Sequence, residues 1–272
     1  MTPDGPPRRV LRELGDIVDP AHTALVVVDV QNDFCHRDGG LAQAGGDMSA
    51  IEKAVEKLDE VIHAARQAAI PVIFLRIVQS PGTSSPAWES LDPEDGPPLV
   101  VAGSWGADYY APIGPADGEL EIVKHRHSGF VATRLDLALR SMGIKTVVFG
   151  GVASNVCVEA TARDAADYDY YVVVLGDASG AVRDELHQAS LYTIRTYIGR
   201  VAESADVARL WAERRLAQAA LVRQAALVRQ HWPGPRAGRR RSGPARAARP
   251  SGPGRSRAGN APDRPRRTGS RG

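Results

Sequence analysis

Short apolar runs alternate with amphipathic stretches along most of the chain. Residues 24–30 read Ala-Leu-Val-Val-Val-Asp-Val, and 71–77, 120–123, 146–149 and 171–175 are further runs rich in aliphatic residues. Runs of this length and composition predict strands buried on both faces, as in a parallel sheet. A sixth strand is expected near Arg200–Ala202. Ile51, Val55, Leu58 and Ile62 recur at helical spacing, so 49–68 is predicted to be a helix with one face on the sheet. Further helices are predicted over 132–142 and 185–197. Another is expected to start at Ser154 or Asn155, either of which can cap it, and to end near Tyr168. Repeated strand–helix units imply an α/β fold with helices on both sides of a mainly parallel, six-stranded sheet and right-handed crossovers.

Three polar residues interrupt this pattern where apolar runs end. Asp29 follows four aliphatic residues, a costly place for a carboxylate unless it is paired or sits at a strand's carboxyl end, where open α/β sheets bind ligands. Lys124 follows the third run and is one of four lysines among 34 basic residues; the other 30 are arginines. A compact ammonium suits a reactive site better than a guanidinium fork does. Cys157 lies past Gly150 and Gly151, in the first turn of an expected helix. Backbone amides and the helix dipole there favour thiolate over thiol. Read singly, each residue has an ordinary alternative: a turn-capping carboxylate, a solvated strand-end charge, a small packing residue. Together they supply an acid/base, a cation and a nucleophile at three strand ends.

The motifs Asp29-Val30-Gln31-Asn32-Asp33-Phe34, Lys124-His125-Arg126-His127-Ser128-Gly129-Phe130 and Gly151-Val152-Ala153-Ser154-Asn155-Val156-Cys157-Val158-Glu159 resemble the isochorismatase-like cysteine hydrolases. The resemblance covers residues 20–211 and implies a three-layer α/β/α, Rossmann-like fold. It implies a catalytic triad of Asp29, Lys124 and Cys157, and a cis peptide between Val152 and Ala153. The Ala153 and Cys157 amides would form an oxyanion hole. Lys124 and the helix amides are expected to lower the thiol pKa. Asp29 would take the thiol proton and later protonate the leaving nitrogen. The stretch 76–82 has no histidine, unlike the metal-binding segment of nicotinamidases, so neither a metal nor an organic cofactor is expected. Residues 103–106 and 135–144, with the motif through Cys157, look like ureidoacrylate amidohydrolases and the related biuret and triuret hydrolases. This implies a small ureide or amide substrate. Gln31, Phe34, Arg126, His127 and Gln188 are candidate substrate contacts; an arginine fork at Arg126 suits a carboxylate. The alternative within the family is vinyl-ether hydrolysis, against which Cys157 argues.

Composition then divides the chain. A hydrophobic content of 43% is enough for a core, and only two cysteines occur. Cys35 reads as a packing residue, since a bridge to Cys157 would consume the nucleophile. A reduced, cytoplasmic setting is therefore expected. There is no apolar leader-like stretch and no membrane-length apolar run. Residues 1–19 are expected to be an N-terminal extension, 20–212 the hydrolase domain, and 213–230 a helical extension carrying a near-repeat of Ala-Leu-Val-Arg-Gln. Residues 231–272, rich in Arg, Pro and Gly, are expected to be a disordered tail. From Glu213 onward, 16 arginines against two acids give +14, while the rest, 18 basic against 30 acidic residues, stands at −12. Such a tail can bind nucleic acid without sequence preference; a functionally neutral extension is the favoured reading. Trp88, Trp105, Tyr109 and Tyr110 lie in the long irregular stretch 80–118, expected to be a lid or a subunit contact. A homo-oligomer, dimer or tetramer, is expected from the resemblance alone.

Overall fold

The computed structural model describes residues 9–91 and 96–231. Six strands form one sheet: β1 (Thr23–Val28), β2 (Val72–Ile77), β3 (Leu120–Lys124), β4 (Thr146–Val152), β5 (Tyr171–Gly180) and β6 (Arg200–Ala202). Their order is β3-β2-β1-β4-β5-β6, and every pairing is parallel. The winding reverses between β1 and β4, which makes the carboxyl ends of these two strands the crevice of the sheet.

The alternation along β1 shows why both faces are covered. Leu25 and Val27 join a core with the Ser49–Gln67 helix and Trp211, while Ala24, Val26 and Val28 join the opposite core with Leu135, Leu139, Val158 and Ala162. All six residues of β1 are buried. The Ser49–Gln67 helix buries Ile51, Val55, Leu58 and Ile62, the stripe expected from spacing. Trp211 is fully buried and donates to the Val18 carbonyl at 2.9 Å. It joins the Ser204–His231 helix to the segment before β1.

Several boundaries differ from expectation. β4 and β5 run on to Val152 and Gly180, with a register shift between Phe149 and Gly151. Gly151 permits the extension of β4: at φ 130 it lies so close to β1 that an added Cβ would stand 2.1 Å from the Val28 oxygen. The Leu14–Ile17 helix within the expected N-terminal extension packs into the first core through Ile17. One compact unit runs to Val228 and a second begins at Arg229. The basic tail beyond His231 lies outside the described residues. Among the described residues, no helix is long and apolar enough to cross a membrane.

Candidate active site

At the end of β1 the chain turns sharply. Asp29 takes φ 49, in the left-handed region that Asp enters more readily than branched residues. Its amide still bonds the Leu75 carbonyl at 3.0 Å, so the turn begins on the sheet itself. Lys124 ends β3, opposite Ile77 of β2. It is two strands away from β1, about 10 Å at ordinary strand spacing. The lysine stem crosses that gap. Its Nζ stands 2.7 Å from Asp29 Oδ2 and donates to the Arg126 carbonyl at 3.0 Å. Both side chains have no solvent exposure. Each would be expensive to bury alone, and together they cancel. Both lie close enough to the Cys157 thiol to act on its charge. The three sequence-predicted residues therefore meet at one point beyond the strand ends.

The local structure around Cys157 corrects one expectation. Neither Ser154 nor Asn155 caps a helix. The turn Ser154–Val158 is π-helical, follows Ala153 without a side-chain cap, and runs directly into the Glu159–Asp167 helix. Ser and Asn favour the cap position by propensity. Tertiary bonding overrides the preference: buried Ser154 contacts His187 Nδ1 through Oγ at 2.9 Å, and its carbonyl accepts from Ser190 at 3.0 Å. The Ala153 carbonyl accepts from the amides of Val156 and Val158, but not from that of Cys157 between them. The peptide between Val152 and Ala153 is cis.

The electrostatics correct another. Burial pushes the Cys157 thiol up, and the Asp29 carboxylate beside it adds to the rise. Lys124 opposes both and is outweighed. Asp29 is also raised, by burial first, against the pull of Lys124. Burial would lower the Lys124 pKa, but Asp29 and Cys157 hold it above its ordinary value. One ammonium balances one negative charge, so a second anion on sulfur is disfavoured while Asp29 is ionised. A proton passed from sulfur to carboxylate keeps the sum constant. At rest Cys157 is thus a thiol beside the Asp29 carboxylate.

Cys157 opens on a cleft of about 190 Å³ walled by Phe34, Ile77, Leu99 and Val156, with Gln79 and His127 as polar lining. Ala153 lines it as well. Of the five expected substrate contacts, Phe34 and His127 line this cleft and the other three do not. Gln31 is fully buried and its amide is used by backbone: Nε2 donates to the Ile77 and Ala107 carbonyls at 2.9 and 2.8 Å, and Oε1 accepts from Ile77 at 2.9 Å. These bonds make it a brace of the cleft wall. Gln188 is exposed and bonds Asp184 one helical turn away. Arg126 lines a neighbouring groove instead, and its Nη1 donates to the Thr83 and His125 carbonyls at 3.0 and 2.5 Å.

Asp33, not among the expected site residues, supports the wall of the cleft. Its carboxylate accepts from the Val100 amide at 2.6 Å and the Gly40 amide at 3.2 Å, fixing the wall that carries Leu99 and Val100. Gly106 packs on the same carboxylate so closely that an added Cβ would fall 2.1 Å from Oδ2. The polar run Gln31-Asn32-Asp33 after a buried strand was the available signal. Cys35 is fully buried in the first core, and both cysteines are free. Among the described residues, no group of three or more His, Cys, Asp or Glu could hold a metal ion.

Comparison with known proteins places this geometry in a family. Residues 23–206 match the Isochorismatase domain. The ureidoacrylate amidohydrolase RutB of Stutzerimonas stutzeri (strain A1501) is 38% identical over 197 residues, 67% of this chain and 79% of that protein. RutB of Pseudomonas savastanoi pv. phaseolicola is 37% identical over 221 residues, 75% of this chain and 90% of that protein. Among solved structures, a cysteine hydrolase from Pseudomonas syringae pv. phaseolicola 1448A matches at TM-score 0.67 and 25% identity, covering 76% of this chain and 99% of that one. N-carbamoylsarcosine amidase from Thermoplasma acidophilum matches at TM-score 0.56 and 31% identity, over 67% and 96%. With its all-parallel sheet and strand-end site, the chain belongs to the isochorismatase family.

Proposed function

We propose that the chain is an amidohydrolase that cleaves a C–N bond of a small ureide or amide through a covalent Cys157 intermediate. The observation that carries this reading is the fully buried Asp29–Lys124 pair, 2.7 Å apart, with the Cys157 thiol beside it. The relatives' names support the substrate class: one acts on ureidoacrylate and another on a carbamoyl-bearing amino acid.

The steps follow from the charges. As substrate enters, the thiol proton passes to Asp29 and sulfur attacks the carbonyl carbon. The carbonyl electron pair moves to oxygen, where the Ala153 and Cys157 amides receive it; losing one such donor typically costs about 100- to 1000-fold in rate. Asp29 returns its proton to the leaving nitrogen, the C–N bond breaks, and ammonia or an amine departs. The thioester that remains, a thiocarbamate for a ureide, is attacked by water whose proton goes to Asp29. The C–S bond then breaks, and sulfur recovers that proton. Lys124 keeps its charge throughout. Every group required belongs to the chain, so the scheme calls for no cofactor.

Phe34 and His127 are the substrate contacts in this reading, with assembly as a homo-oligomer in the cytoplasm. Ammonia release from ureidoacrylate, biuret, triuret and nicotinamide tests it. A ureide should be turned over in preference to nicotinamide; no release from any of the three ureides would contradict the assignment.

A further inference from the structure

The catalytic cleft abuts a second depression. This outer groove of about 730 Å³ is lined by Arg126, Asn155, Glu159 and Arg163, among others. Three residues line both spaces: Trp88, His127 and Val156. They therefore form the partition between a cleft of about 190 Å³ and a groove several times larger.

The partition is held in place from several sides. The Trp88 and His127 ring centroids are 4.8 Å apart, tilted by 54°. The Arg126 guanidinium lies over the Trp88 ring, 4.8 Å from its centroid. The same guanidinium donates to the Thr83 carbonyl at 3.0 Å, which ties the loop bearing Trp88 to the segment after β3. His125 adds a contact from its Nδ1 to the Val78 carbonyl at 2.7 Å. Trp88 itself sits in the short helix Pro86–Glu89, whose first turn is capped by the Ser85 hydroxyl accepting from the Trp88 amide at 3.2 Å. An indole stacked with a guanidinium and anchored at its own backbone makes a defined wall.

We infer that Trp88, clamped by Arg126, is a specificity-determining residue that limits the site to small, unbranched ureides and amides. Substrates with a bulky group on the nitrogen or acyl side are excluded by the indole, and Arg126 acts through Trp88 as a positioning residue. Removing the indole joins the two spaces. The substrate class rests on the proposed function; the size limit on access to Cys157 does not.

The test therefore reads access to the sulfur directly. Cys157 is labelled with iodoacetamide and with a bulky N-aryl maleimide, in the whole protein and in Trp88→Ala and Trp88→Phe variants, with Cys157→Ala as the control for label at Cys35. One misfitting methylene in a pocket is already worth about 10- to 200-fold in discrimination. The maleimide-to-iodoacetamide rate ratio should therefore rise by about tenfold or more in Trp88→Ala. It should stay near the parent value in Trp88→Phe, which keeps a ring under Arg126 and shows that the loop still folds. An unchanged ratio in Trp88→Ala, or an equal rise in both variants, overturns the inference. Ammonia release from small and N-substituted ureides is measured in parallel. A raised labelling ratio without turnover of any ureide would remove the proposed function and leave the partition standing. Turnover with an unchanged ratio would do the reverse.

Discussion

Lys124 crosses the width of β2 to stand 2.7 Å from Asp29, and neither residue is exposed to solvent. The pair is electrically self-sufficient, so removing one member leaves a buried charge without its partner. Such a loss typically costs about 3–5 kcal/mol. Lys124→Met and Asp29→Asn should each lower the free energy of unfolding by an amount in this range. The double variant should recover a large part of the loss, because no lone charge remains. Chemical denaturation of the three variants checks this; a double variant whose losses simply add would show that the two side chains do not depend on each other.

The pH dependence of turnover follows from the direction of the Asp29 shift. Its carboxyl is raised by burial, so Asp29 becomes protonated at a higher pH than an ordinary aspartate, whose pKa is about 3.9. The acid limb of kcat/KM should therefore lie above that value, with activity lost as pH falls through it. A limb at the ordinary carboxylate value would mean that Asp29 is not the group being read. Lys124 pulls the Asp29 value down, so a residually active Lys124→Met variant should move the limb further up.

Stability should carry a separate signature from His187. Burial lowers its pKa, while Asp184 pulls the other way. A lowered folded-state value means that the unfolded chain takes up a proton more readily. Stability is then present above the unfolded histidine value of about 6.5 and is lost as pH falls below it. His187→Gln should flatten this part of the stability profile and loosen Ser154, its partner at 2.9 Å. Thermal denaturation at pH 7.5 and at pH 5 compares the two proteins. Parallel losses on acidification would assign the effect to other groups.

The contact between Asp33 and Gly106 gives a coupling that can be measured. Gly106→Ala places a methyl group against the Asp33 carboxylate, and overpacking of this kind costs about 1–3 kcal/mol. In an Asp33→Ala background the cost should shrink, since the clashing oxygens are gone. A double-mutant cycle on stability reads the difference; strict additivity would show that the alanine is accommodated elsewhere.

Much of this site is legible in the chain because strand ends are marked by a change in chemistry. Asp29, Lys124 and Cys157 each follow an aliphatic run, and the strand–helix alternation predicts the sheet that brings those ends together. What is not legible depends on contacts between segments distant in sequence. Gln31 and Arg126 are polar residues beside catalytic candidates, yet Ile77, Ala107 and Thr83 take up their hydrogen bonds. No spacing rule reports that. The direction of the thiol shift failed for a related reason: a helix terminus and a lysine argue for a lowered pKa, but the degree of burial and the nearby Asp29 decide it.

The most direct test of covalent catalysis is the intact mass of protein quenched during turnover of whichever ureide releases ammonia. The parent protein should gain the mass of the acyl or carbamoyl group, localised by peptide mapping to Cys157. Cys157→Ala should show neither the adduct nor turnover while unfolding at a similar midpoint. Turnover at the parent rate by Cys157→Ala would contradict the mechanism outright.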